Sequence, residues 1–193
     1  VAGPLEFLSP ERLRAQLEVN VVGLSAVTGA VMPLIRKGGG RIVHVGSVSG
    51  VIASPFVGPY CASKFAVEAL TDSLRLELRP WGIPVSLVQP GPISTPIWDK
   101  SIGQAEKLRE ELPAEAVELY EPLMEAVRAE VERRAKSGYP PERIAEAIAH
   151  ALTAKKPKTR YLIGPGVRTA AFVARWLPDR LRDVAIVKAL GLQ

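Results

Sequence analysis

The chain has 193 residues, 47% apolar and 23% charged, with a formal net charge of +5. That usage is close to ordinary globular usage, and the length allows one sizeable core. The single cysteine, Cys61, excludes an internal disulfide framework and suits a reducing, cytoplasmic setting. Val1-Ala2-Gly3-Pro4 opens without a charged n-region or an apolar h-region, so no signal peptide is expected.

Ser9-Pro10-Glu11 reads as a helix start, with Ser as N-cap and Pro at the first helical position. Leu13, Leu17, Val21, Leu24, Val27, Val31 and Leu34-Ile35 then recur at a helical period. The helix should stop near Gly38-Gly39-Gly40. These glycines precede a strand, whereas a phosphate cradle follows one, so they read as a stop and turn. Asn20 falls inside the helix, where Asn is a mediocre former. On the residues alone it is an exposed polar group.

The centre of the chain is Arg41 to Lys64. Arg41-Ile42-Val43-His44-Val45 is β-branched and fits a buried strand. Gly46-Ser47-Val48-Ser49-Gly50 turns out of it, and Pro55, Gly58 and Pro59 punctuate the following loop. Tyr60 then opens a helix, with Lys64 one turn on along the same face. Tyrosine is a poor base at neutral pH, its ordinary pKa being about 10. A neighbouring ammonium and a helix N-terminus both favour the phenolate, so the Tyr60 pKa is expected to be lowered. Tyr60 could then exchange a proton with an alcohol or a carbonyl, and Ser47 could hold the same oxygen. The plain alternative is a buried Tyr, a solvated Lys and a turn Ser. Cys61, with no His near it in sequence, reads as a small buried residue.

The helix from Tyr60 to Arg79 is apolar enough to need two buried faces, one on the sheet and one on a partner, and Pro80, Gly82 and Pro84 end it. Pro84 to Gln89 is the next strand. Pro90-Gly91-Pro92 turns out of it, beyond the strand C-termini where ligands of open α/β sheets bind, and Ser47 should meet it there. From Asp99 to His150 there are twelve acids and eight bases. This stretch reads as solvated helices near 101–112 and 114–137, then a helix from Tyr139-Pro140-Pro141 to about Leu152. Tyr161-Leu162-Ile163-Gly164 is a last short strand.

From Lys155 to Gln193 there are nine Lys/Arg against two Asp. Pro178 divides this basic tail, residues 155–193, into two amphipathic pieces. Such a segment can lie on an anionic membrane surface, cap a pocket or cover a dimer seam. No continuous apolar run reads as long enough to span a bilayer. Nucleic-acid binding is not expected, since the charge sits at one end and no known module is present. A serine hydrolase would want G-x-S-x-G, which the segment around Ser47 does not match, and His44 and His150 have no visible partner.

Tyr60-Cys61-Ala62-Ser63-Lys64 resembles the Y-x-A-S-K signature of the short-chain dehydrogenase/reductase family. Ser47, thirteen residues earlier, matches the spacing of that family's catalytic serine. Asn20-Val21-Val22-Gly23 resembles its N-V-x-G segment, and Pro90-Gly91-Pro92-Ile93-Ser94-Thr95 its P-G-x-[IV]-x-T segment. The resemblance implies a catalytic tetrad of Asn20, Ser47, Tyr60 and Lys64. Asn20 would support a water relay, and Lys64 would hold the nicotinamide ribose as well as tune Tyr60. It implies cofactor contacts from Tyr60, Lys64, Pro90, Gly91, Ile93 and Thr95. Substrate contacts would come from Ser47, Tyr60, Pro92, Ile97 and Trp98, with Leu123 and Met124 as further candidates. Residues 97–138 would be a substrate lid. NAD or NADP would be the cofactor, with no metal.

The resemblance also implies that roughly the first ninety residues of a family member, about three βα units, are absent. The fold expected is α/β, the C-terminal part of a Rossmann-like doubly wound parallel sheet forming one partial domain over 1–193. Spacing and tail resemble the retinol and 17β-hydroxysteroid dehydrogenase branch, so a lipophilic secondary alcohol or ketone is expected as substrate. A homodimer or homotetramer is expected too. The rival is a chain without activity that only self-associates, because the dinucleotide-binding loop is absent.

Overall fold

The structure is a computed structural model and describes residues 2–191. Ser9 caps the first helix as its sequence predicts, its side chain accepting from the Arg12 N–H. The helix begins as α1 (Pro10–Leu17), widens into a π-helical stretch (Glu18–Gly23) and continues as α2 (Leu24–Gly38). A single helical period predicted one uniform helix, and the π stretch is the departure from it. Gly39 ends α2 in the left-handed region at φ 61°, with its N–H on the Ile35 carbonyl. The three glycines are thus a helix stop.

Strands β1 (Ile42–Val45), β2 (Val85–Pro90) and β3 (Arg160–Ile163) form a parallel sheet in that order. Ile42 pairs with Val85 and Val45 with Val88, while Leu87 pairs with Arg160 and Pro90 with Ile163. Helix α3 (Gly58–Glu77) follows β1, and α4 (Ile97–Glu111), α5 (Ala114–Lys136) and α6 (Pro141–Thr153) lie between β2 and β3. The tail is α7 (Val167–Trp176) and α8 (Asp179–Ala189), divided at Pro178.

Alternation along the strands gives the sheet two covered faces. Ile42 and Val85 pack with Met32, Leu78 and Ile83, and with Ile35 and Leu74, on the α2–α3 side. Val43 and Val88 pack with Ala147, Ala151 and Tyr161, and with Ile144 and Ile148, on the α6 side. Helices on both faces of a parallel sheet are the doubly wound arrangement. Among the described residues β1 has a strand partner on one edge only. Beside its open edge lies a groove of about 520 Å³ lined by Asn20, Leu24, Val27 and Thr28 of the first helix, by residues 41–44, and by Lys64.

Helix α3 buries one side, through Cys61, Val67 and Thr71, and leaves Phe65, Leu70 and Leu76 exposed, the side expected to meet a partner. One expectation changes: the helix Pro10–Gly38, 29 residues with a stretch of mean hydropathy 1.5, is long and apolar enough to cross a membrane by length and composition. The reading by uninterrupted apolar runs missed it because Ser25, Thr28 and Gly29 break the run while adding little polarity. Side-chain bonds join this helix to its neighbours: Asn20 donates to Ser63 of α3, and Thr28 bonds His44 of β1.

Candidate active site

Ser47 follows β1 in an extended conformation and is buried. Its hydroxyl accepts from the Ser49 N–H at 3.1 Å and opens a single turn, Val48–Gly50. Gly50 brings this turn against α3. A Cβ there would lie 2.8 Å from the Lys64 carbonyl oxygen and 3.1 Å from Glu68 Cγ. The contact lets a hydroxyl on one element reach a phenol on another.

Gly58 and Pro59 begin α3, so Tyr60 stands in its first turn. The Tyr60 phenol is half-buried, and the neighbouring Ser47 side chain favours its ionised form. Lys64, one turn on, places its ammonium 5.8 Å from the Tyr60 ring centroid and donates to the Val45 carbonyl at 3.1 Å. Burial raises the Tyr60 pKa above its ordinary value, with the Ser47 side chain pulling it back in part. This corrects the lowering expected from Lys64. Burial lowers the Lys64 pKa as well, so the desolvation that would strengthen the pair also opposes charge on each member.

Asn20 sits in the π stretch. Its amide donates to Ser63 Oγ at 3.0 Å, and Ser63 donates to the Tyr60 carbonyl at 2.7 Å. Asn20 therefore braces the first turn of α3 through Ser63. It also lines the groove in which Lys64 takes part.

The segment after β2 is fastened at several points. The Gly91 N–H donates to the Ile163 carbonyl, the Tyr139 N–H to the Pro92 carbonyl, and the Ser94 N–H to the Tyr139 carbonyl, each at 2.9–3.0 Å. The Gly46 N–H donates to the Val88 carbonyl at 2.8 Å, so the turns after β1 and β2 leave from one end of the sheet. Thr95 and Trp98 line a cavity of about 350 Å³ with Ser94, Pro96, Asp99 and Ala135. Trp98 is held there by its indole N–H on the Ile93 carbonyl at 2.6 Å. Ile97 is 60% exposed and lines neither cavity. Leu123 and Met124 are half-buried in α5.

Sequence reasoning missed the polar bracing behind the site. Buried Glu68 lies one turn beyond Lys64 on α3 and accepts from Gln89 of β2 and Arg160 of β3. Arg160 also donates to Asp72 at 2.7 Å. The i, i+4, i+8 spacing of Tyr60, Lys64 and Glu68, and a Gln in an otherwise buried strand, were the available signals. Both histidines are occupied. His44 bonds Thr28 and Thr71, and His150 bonds Tyr161, so neither acts on Ser47 as a hydrolase would require. Cys61 is buried.

The arrangement offers a hydroxyl, a phenol and an ammonium at the C-terminal end of a parallel sheet, a donor set for an alcohol or carbonyl oxygen. The short chain dehydrogenase profile matches residues 1–106. The NADPH-dependent 3-dehydrocapnine reductase of Ornithobacterium rhinotracheale is 36% identical over 97% of this chain and 66% of its own length. Human 17-beta-hydroxysteroid dehydrogenase type 1 is 38% identical over 82% of this chain and 48% of its own length. The chain thus spans about half to two thirds of these curated relatives. A short chain dehydrogenase/reductase from Burkholderia phymatum, solved in complex with NAD, superposes with a TM-score of 0.71 at 25% identity. That match covers 96% of this chain and 63% of the solved one. The fold, the motif-bearing helix and the sequence relatives agree: the chain belongs to the short-chain dehydrogenase family.

Proposed function

We propose that the chain carries the catalytic half of an NAD(P)-dependent oxidoreductase acting on a lipophilic secondary alcohol or ketone. The observation that carries this reading is the grouping of Ser47, Tyr60 and Lys64 at one end of the sheet. The donor set fits the cofactor: the Lys64 ammonium has three donors and spends one on Val45, leaving two for ribose hydroxyls. Bound nicotinamide would supply or take the hydride at the substrate carbinol carbon.

The rest belongs to the chain's own residues. Tyr60 gives its phenolic proton to the carbonyl oxygen in reduction, or takes the hydroxyl proton in oxidation. Ser47 fixes that oxygen by a hydrogen bond. The raised Tyr60 pKa keeps the phenol protonated, which is the state that reduction needs. Lys64 stabilises the tyrosinate left behind. Asn20 holds the first turn of α3 through Ser63. Ile93 and Thr95 would meet the carboxamide, with Pro90 and Gly91 shaping the turn, while Pro92 of that turn and Ile97 and Trp98 of α4, in the lid, would face substrate. The lipophilic substrate class rests on the steroid-acting relative. The exposed apolar residues of α2 and α3 support a homo-oligomer.

The same exposed helices favour a second reading, a chain that self-associates without turnover. Titration with NADH and NADPH, followed by nicotinamide fluorescence, separates the two. Saturable binding with reduction of a lipophilic ketone supports the enzyme. Self-association in sedimentation, with no binding and no turnover, supports the second reading.

A further inference from the structure

The outward faces of α7 and α8 share a pattern that the redox reading does not use. On α7, Val167 is buried and anchors the helix beside Gly91, where an added Cβ would lie 2.7 Å from Val167 Cγ2. The opposite face carries Phe172 and Trp176, 61% and 67% exposed, flanked by exposed Arg168 and Arg175. The Arg175 guanidinium lies 5.8 Å from the Trp176 ring centroid. On α8, Leu181, Val184 and Val187 are exposed on the same side as Arg180 and Lys188. The inward positions are Arg182 and Ile186, with Arg182 paired to Asp179.

A core-facing stripe would be apolar and buried, with the charges opposite. Here the apolar side chains and the cations point the same way. Among the described residues, Arg168, Arg175, Arg180 and Lys188 have no acidic partner in an ion pair; Asp183 is the one other acid of these two helices. A face that joins aromatic and aliphatic side chains to unpaired cations matches a bilayer interface, where rings and chains enter the acyl boundary and cations meet phosphates. It does not match a second copy of itself, because closing this face on its own image would bring like charges together.

We propose that α7 and α8 dock the chain on an anionic phospholipid surface. Because α7 starts against Gly91, docking sets the turn after β2 close to the bilayer, the reservoir of a lipophilic alcohol or ketone. The docking itself does not depend on the redox reading.

The test is co-sedimentation of the chain with phosphatidylcholine vesicles, with and without phosphatidylglycerol, at low and high salt. Binding is expected only with phosphatidylglycerol and should weaken with salt. Arg168→Gln/Arg175→Gln/Arg180→Gln/Lys188→Gln changes only exposed side chains, and circular dichroism confirms its fold. Each lost cation should weaken binding about fivefold, and the four together by more than about a hundredfold. Phe172→Ser/Trp176→Ser should also weaken it at unchanged charge. Absence of binding to phosphatidylglycerol vesicles overturns the proposal. Binding unchanged in both variants overturns it as well and assigns the contact to the helix Pro10–Gly38. So does concentration-dependent self-association that the same variants abolish while vesicle binding stays intact.

Discussion

The amide nitrogen of Gln89 donates to Glu68 Oε1 across 2.6 Å, joining the end of β2 to the middle of α3. The other Glu68 oxygen takes Arg160 of β3 at 3.2 Å. One carboxylate thus holds the helix bearing Tyr60 and Lys64 against two strands. Glu68→Ala leaves buried Gln89 and half-buried Arg160 short of a partner and should cost about 2–3 kcal/mol, read from urea denaturation. Glu68→Gln keeps the volume and should cost less, because burial already works against the charge at this position.

In the proposed reaction Tyr60→Phe removes the proton exchanged with the substrate oxygen and leaves the ring in place. In the holoenzyme, turnover should fall by about 10²–10⁴-fold with cofactor binding retained. Ser47→Ala should fall by about 10²-fold, as for loss of one oxygen-stabilising donor. Steady-state kinetics with a fluorescence titration checks both. Near-wild-type turnover in Tyr60→Phe would remove Tyr60 as the acid/base.

Tyr60 in the unliganded chain should ionise above about 10, the ordinary phenol value, since burial outweighs the influence of Ser47. The difference in ultraviolet titration between the chain and Tyr60→Phe isolates this phenol from the other three tyrosines. A midpoint near neutrality would mean that Lys64 already dominates without ligand.

His44 is buried, with its ring between Thr28 and Thr71, and burial lowers its pKa. A lowered folded value means stability that is present above the unfolded pKa of about 6.5 and lost as pH falls through the folded value. Thermal unfolding from pH 7.5 to 5 should show the midpoint falling, by about 2–4 °C for each 1 kcal/mol lost. His44→Asn should flatten this slope. An unchanged slope in that variant would assign the acid sensitivity elsewhere.

Gly50→Ala sets a methyl group 2.8 Å from the Lys64 carbonyl oxygen. Backbone cannot yield as a flexible side chain would, so the turn carrying Ser47 must back away from α3. A destabilisation of about 1–3 kcal/mol is expected in chemical denaturation, with turnover reduced beyond what stability explains.

The grouping of Ser47, Tyr60 and Lys64 was legible because each signal is local. A strand ends in small residues, a helix starts at Pro59, and two side chains stand one turn apart. The alternating strands and the two-part tail were legible for the same reason. The bracing by Glu68, Gln89 and Arg160 was not, since Arg160 lies 92 residues from Glu68 and only the sheet order brings them together. The sign of the Tyr60 shift was missed because spacing reveals a neighbouring charge and says nothing of how much water is lost. Which residues of α3 face away from the sheet, Phe65, Leu70 and Leu76, was not legible, because apolar content does not tell which face packs on it.

The π stretch at Glu18–Gly23 acts as a phase setting in the long first helix. A π turn holds one residue more than an α turn, and each residue advances an α-helix by about 100°. Removing one residue from this stretch would regularise the helix and turn everything upstream of it by that angle. Ser9 and α1 would swing to another side of the axis, and Asn20 would no longer lie over Ser63. The chain would gain a smoother helix and lose the alignment of its first turns with α3, so a one-residue deletion here should do more harm than most single substitutions along the same helix.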